Sequence, residues 1–217
     1  VNTERLLVQE KLNLNNRYKD EFVNKVFKDN ILLTIFYLRG GKIDQKPYWE
    51  EVKKPFHFEM TLYPGDLFSF HEDLLDEFKN KRPKTTNSHF SSTEGFKSDG
   101  YLIGDGVCHL AAFINWVAMT SNLDVKAPTN HNFAVIPDVP REYGTSIYFK
   151  TNAKKSNAEQ NLYISNNKEI PVNFVFEYDG LDTLTLKVIE QPLALKNLKN
   201  FYIKVGVVKS LTESLCF

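Results

Sequence analysis

Cys108 follows a glycine-punctuated break, Gly104-Asp105-Gly106-Val107, and precedes His109 and an apolar run from Leu110 to Met119. Such a break predicts a helix with the thiol in its first turn. There the unpaired backbone N–H groups and the positive end of the helix dipole favour thiolate over thiol, so the position suits a nucleophile. Gly104 and Gly106 permit close approach, and Ala111 and Ala112 keep the next turn small. The plainer reading is a buried structural cysteine, the commoner fate of a lone thiol.

Thiol chemistry needs a base, and His131 stands at the start of the first strand expected after this helix. An imidazole there can take the thiol proton and later protonate a leaving amine. The competing reading is a surface-loop histidine between Asn130 and Asn132. His109 adjoins the thiol in sequence, but successive helical residues point about 100° apart, which makes it a poor base. His57, His71 and His89 show no ligand spacing with the cysteines, so no metal site is expected. The second cysteine, Cys216, leaves a Cys108–Cys216 disulfide as the structural alternative to a nucleophile.

The elements that must position these groups read as follows. Arg17 to Leu38 is an amphipathic helix ended by Gly40-Gly41, with Tyr18, Phe22 and Val26 near helical spacing; Val1 to Asn16 is a shorter helix or a linker. Phe56 to Leu62 alternates like a strand and Pro64-Gly65 turns the chain. Asp73 to Lys79 is a short helix, and Lys81 to Ser98 is a polar surface loop bordering the Cys108 helix. Val107, Ala111, Ile114 and Ala118, widened by Leu110, Phe113 and Val117, make that helix mostly buried. Beyond Asn122, strands are expected over Asn132 to Ile136, Thr145 to Lys150, Asn161 to Ile164, Val172 to Tyr178, Thr183 to Ile189 and Phe201 to Val208. Asp179-Gly180 is a hairpin turn, and Lys154 to Gln160 is an exposed polar insertion.

The expected fold class is therefore α+β, a nucleophile-bearing helix packed on a mostly antiparallel sheet, of which a papain-like arrangement is one form. An N-terminal helical segment over 1–45 precedes an α+β domain over 46–217. Lysines and arginines number 27 against 27 aspartates and glutamates, so the overall charge gives no argument for a nucleic-acid partner. No apolar run is long enough to cross a bilayer.

Four blocks in order resemble the VanW family: Leu62-Tyr-Pro-Gly-Asp-Leu-Phe-Ser-Phe70; Gly100-Tyr101 with Gly104-Asp-Gly-Val-Cys-His-Leu-Ala-Ala112; Asn130-His131-Asn132; and Asn161-Leu-Tyr-Ile-Ser-Asn-Asn167 running to Pro171-Val172. The resemblance spans about Leu62 to Val188. It implies a bacterial cell-envelope protein, outside the cytoplasm, that acts on peptidoglycan stem peptides. Cys108 would be the nucleophile of an L,D-transpeptidase or L,D-carboxypeptidase type of acyl transfer, His131 the base, and no cofactor is needed. Gly106, His109, Tyr101 and Asn132 are the candidates for holding the oxyanion or the substrate. The chain departs from the family at three places: Asp105 replaces a glycine, His109 a glutamine, and Gly144 stands where an acid should orient the histidine, which leaves Glu142 as the candidate orienter. Two other readings remain: a non-catalytic cell-wall or protein-binding module, and a general cysteine peptidase.

Overall fold

The computed structural model describes residues 3–42 and 48–191. Among them the chain forms strand β1 (Arg5–Asn13), helix α1 (Glu21–Leu38), a single turn α2 (Trp49–Val52), β2 (Phe56–Leu62), β3 (Leu67–Ser69), α3 (Val107–Thr120), β4 (Asp124–Lys126), α4 (Lys154–Glu159), β5 (Tyr163–Ser165), β6 (Val172–Tyr178) and β7 (Thr183–Glu190). The fold is α+β, with an antiparallel four-stranded sheet in the order β1-β7-β6-β2 and a small antiparallel sheet in the order β3-β5-β4.

Alternation explains the larger sheet. In β7 every second residue, Leu184, Leu186 and Val188, is fully buried while Thr185 and Lys187 are not, so one face is committed to the core. The hairpin joining β6 to β7 turns at Gly180 with φ +83°, and the Asp179 carboxylate accepts the N–H groups of Leu181, Asp182 and Thr183. Helix α3 packs against α1, β1, β7 and β4, and its Leu110, Ala111, Ala112, Phe113, Ile114 and Val117 are fully buried. A helix apolar on nearly every side belongs in the middle of a fold.

Several elements differ from the sequence expectations, and hydrogen bonding explains how. The segment before Asn16 is neither helix nor linker, because Arg5–Asn13 pairs with β7 from Arg5↔Glu190 to Asn13↔Thr183. Helix α1 begins at Glu21, four residues later than read, because the Asp20 carboxylate caps it by accepting the Val23 N–H at 3.0 Å. The helix read over Asp73 to Lys79 shrinks to one 3₁₀ turn at Asp76–Phe78, and the polar insertion after Ala153 forms α4. Neither Asn132 to Ile136 nor Thr145 to Lys150 is in a sheet. The expected strand at Phe201 to Val208 lies outside the described residues, as does Cys216.

A candidate thiol cleft

Cys108 occupies the first turn of α3, as its sequence setting required. Gly106 is the residue before the helix, in the left-handed region at φ +93°. The loop feeding it is held by α1: fully buried Asn30 donates from Nδ2 to Lys97 O at 3.0 Å and Asp105 O at 2.9 Å, and its Oδ1 accepts the Lys97 N–H at 2.9 Å. One amide side chain thus clamps both ends of the Ser98–Gly104 loop. Nearby, Asp29, 1% exposed, lies against Lys53 at 2.8 Å and Lys97 at 2.5 Å. That pairing holds its carboxyl below the usual range against the desolvation that would raise it.

The thiol is at the wall of a cleft of about 1240 Å³, which Gly106, His109, His131, Tyr101 and residues 146–151 also line. Its sulfur accepts the Ile147 N–H at 3.3 Å and lies 3.6 Å from the Ile147 carbonyl oxygen. No hydrogen bond joins it to His131. Burial pushes the thiol up to about 11, offset in part by the Ile147 backbone and reinforced by the charge of Asp105. The resting group is therefore a neutral thiol, in spite of its place at a helix N-terminus. The Cys108 N–H has no carbonyl acceptor among the described residues and is directed at its own sulfur, a contact that works against the effect of burial.

His131 and His109 face each other edge to face with ring centroids 6.3 Å apart, and His109 also meets Phe27 edge-on at 4.9 Å. Both rings are more than nine-tenths buried, and Nδ1 of each is unpaired among the described residues. Desolvation lowers both, His109 to about 3. Neutral imidazole is the form a general base requires, so protonation does not stand in the way; the missing contact with sulfur does.

The loop that carries His131 is tied to the N-terminal segment by Arg17. This guanidinium, 1% exposed, donates to Asn13 O, to Pro137 O and to the carboxylate of Asp138 at 2.5 Å. Gly144 has a different task from an acid's. A Cβ there would lie 2.9 Å from His131 O and 3.2 Å from Arg141 O, so the position admits no carboxylate while the His131 backbone passes where it does. Glu142 is exposed, and its side chain makes no hydrogen bond to His131. Asn132 is exposed and accepts Arg141 through its carbonyl, and Tyr101, 92% exposed, stands at the rim.

The structure thus brings Cys108, Gly106, His109, His131 and Tyr101 to one cleft and leaves Glu142 and Asn132 outside its lining. Sequence reasoning missed Ile147, Arg17, Asn30 and Asn115, whose Nδ2 donates from α3 to Tyr143 O and Thr145 Oγ1. A signal existed for Asn115, an asparagine inside the apolar run of α3, since buried amides must be bonded.

Around the thiol the cleft has apolar walls. Tyr101, Leu102 and Ile103 on one loop and Phe133, Val135 and Tyr148 on the facing segments are all more than two-fifths exposed. Among the described residues no metal-binding cluster occurs, and no helix is long and apolar enough to cross a membrane. Fold and site together define an α+β protein with a half-buried thiol in the wall of a cleft. No family model, no curated protein and no solved structure matches the chain.

Two measurements follow from the electrostatics. At pH 8 iodoacetamide should modify Cys108 at least roughly a hundredfold more slowly than a free thiol, with the rate rising about tenfold per pH unit towards pH 11. Modification faster than a free thiol at pH 7 would mean that His131 already activates the sulfur. Acid should also destabilise the fold through His109. Its pKa is lower folded than unfolded, so its contribution is complete above about 6.5 and is lost as the pH falls towards about 3. The expected slope is at most about 1.4 kcal/mol per pH unit. Asp105, raised to about 6 by burial, acts in the opposite direction, so the diagnostic quantity is the difference between wild type and His109→Gln in urea unfolding from pH 7 to pH 5. Parallel curves would show that His109 titrates normally.

Proposed function

We propose that the cleft binds a peptide and that Cys108 transfers its acyl group, with peptidoglycan stem peptides as the substrate class and a cell-envelope location, both of which rest on the resemblance to the VanW family. The observation that supports this reading is that a thiol in the first turn of a helix and a neutral imidazole line one cleft. In the reaction the Cys108 sulfur attacks the carbonyl carbon of the third stem residue, in the amide that joins it to the terminal D-amino acid. The thiol proton passes to His131 and from there to the leaving amine, and the terminal D-amino acid departs. The thioester is then taken by an acceptor amine, which gives a cross-link, or by water, which gives a carboxypeptidase. The Cys108 N–H would turn from its own sulfur to donate to the oxyanion. Because the resting sulfur is bonded to Ile147, the reaction requires it to leave that contact and turn towards the imidazole.

One observation favours a non-catalytic peptide-binding module instead: a neutral thiol held by backbone groups, with no acid behind the histidine, is also what a structural cysteine looks like. Mass spectrometry of reduced protein with tetrapeptide stems separates the two. Loss of the terminal residue or a thioester on Cys108 supports acyl transfer. Binding without either, by folded protein with a reduced thiol, supports the module.

A further inference from the structure

The run from Ser146 to Lys150 lies outside both sheets, yet it is extended in its bonding. The N–H groups of Ser146, Tyr148 and Lys150 all turn to the protein, to Thr129 O at 2.9 Å, Gln160 O at 3.1 Å and Asn157 Oδ1 at 3.0 Å. Side chains alternate as well: Ile147 is buried and Phe149 packs on the rings of His71 and His89, while Tyr148 and Lys150 are exposed. In an extended chain successive residues direct their N–H and C=O to opposite edges. Ile147 and Phe149 therefore share the second edge, and the Cys108 sulfur, which lines the cleft, meets that edge at Ile147. On it the Cys108 sulfur engages the N–H and carbonyl of Ile147, whereas the N–H and C=O of Phe149 have no partner among the described residues.

An edge with one residue taken by a thiol and the next open is a template for strand addition, the mode in which main-chain bonds supply affinity and side-chain pockets supply selectivity. We propose that an extended peptide adds as a strand along Ile147–Phe149, its main chain bonding the Phe149 N–H and C=O and displacing the Cys108 sulfur from Ile147. Residues on one edge recur about every 6.7 Å, so the ligand carbonyl presented to the freed sulfur belongs to the residue two along from the one paired with Phe149. The apolar walls at Tyr101–Ile103 and at Phe133 and Val135 would then meet the alternating side chains of the ligand. This proposal rests on the reading of Cys108 as nucleophile and adds how the substrate is held and what releases the thiol.

The test uses a tetrapeptide stem as probe, followed in parallel by amide hydrogen exchange and by intact mass. The Phe149 amide should become at least tenfold more protected when the probe is added, while that of Tyr148, already bonded to Gln160, changes little. Protection together with a thioester upholds both readings. Protection without a thioester upholds strand addition and removes the catalytic reading. A thioester formed with Phe149 unprotected overturns strand addition and leaves catalysis standing, and neither signal overturns both. Phe149→Pro removes the donor without breaking a bond of the free protein, and the preceding extended residue accommodates proline. It should weaken probe binding to the Cys108→Ala protein at least fivefold; unchanged binding by folded Phe149→Pro, Cys108→Ala protein would likewise overturn the proposal.

Discussion

Cys108→Ala should abolish thioester formation and reduce stem-peptide turnover by at least about a thousandfold, while the folded protein still binds the peptide. The substitution removes one sulfur from a half-buried position and leaves the Ile147 N–H facing the cleft, where water can satisfy it, so the effect on stability is small beside the effect on chemistry. His131→Ala provides the complement. Loss of a general base typically costs 10² to 10⁴ in rate, and the remaining activity should rise with pH as hydroxide supplies thiolate. If turnover by Cys108→Ala matches wild type, the thiol is structural. If Cys108→Ala is dead but His131→Ala retains full activity, another group carries the proton; Asp105, on the same cleft and raised to about 6, is the first to replace.

The largest expected effect on stability comes from Gly106→Ala. At φ +93° any L side chain is strained, which alone costs about 1 to 2 kcal/mol. The added Cβ would also sit 2.7 Å from the carbonyl oxygen and 2.8 Å from the Cα of Phe27 in α1, and backbone atoms within a helix cannot yield cheaply. A total loss of about 3 kcal/mol or more is expected in urea unfolding, equivalent to a fall in Tm of roughly 6 to 12 °C for a chain of this size. Gly65→Ala is the control. It shares the positive φ, at +79°, but its Cβ meets nothing within 4 Å, so only the conformational strain should appear. Equal losses at both sites would mean that α1 does not approach Gly106 this closely.

What the residues disclosed about themselves was mostly local. The glycine break and apolar run located α3 and put Cys108 in its first turn; alternation located β2, β6 and β7; Asp179-Gly180 located their hairpin. The strand expected over Asn132 to Ile136 fails because the segment bends at Phe133 and Ala134 and only Ile136 is buried; the one over Thr145 to Lys150 fails for a different reason. Alternation reports only that a segment is half-buried and extended, and it is silent on whether a second chain supplies the ladder. Thr145 to Lys150 is extended as its pattern said, but it is bonded to scattered acceptors at Thr129, Gln160 and Asn157 and so forms no sheet. The segment from Val1 to Asn16 carries no strand signal of its own, because nine residues of mixed pattern become a strand only through β7, most of the chain away. The site was legible as a set of residue types and not as a bonding scheme. Nothing near Cys108 in sequence announces Ile147, and nothing near Gly144 announces that the His131 backbone fills the space an acid would need.

The pairing of β1 with β7 also sets a timetable for the thiol. These strands lie at opposite ends of the described chain, and α3 packs against both. Contacts so distant in sequence form late, because closing the long loop comes before any reward from the ladder. On a ribosome β1 must wait until β7 has emerged. Through that interval α3, the helix that carries Cys108, lacks two of its packing partners. The firmness of the helix under the thiol is therefore acquired only when β1 meets β7.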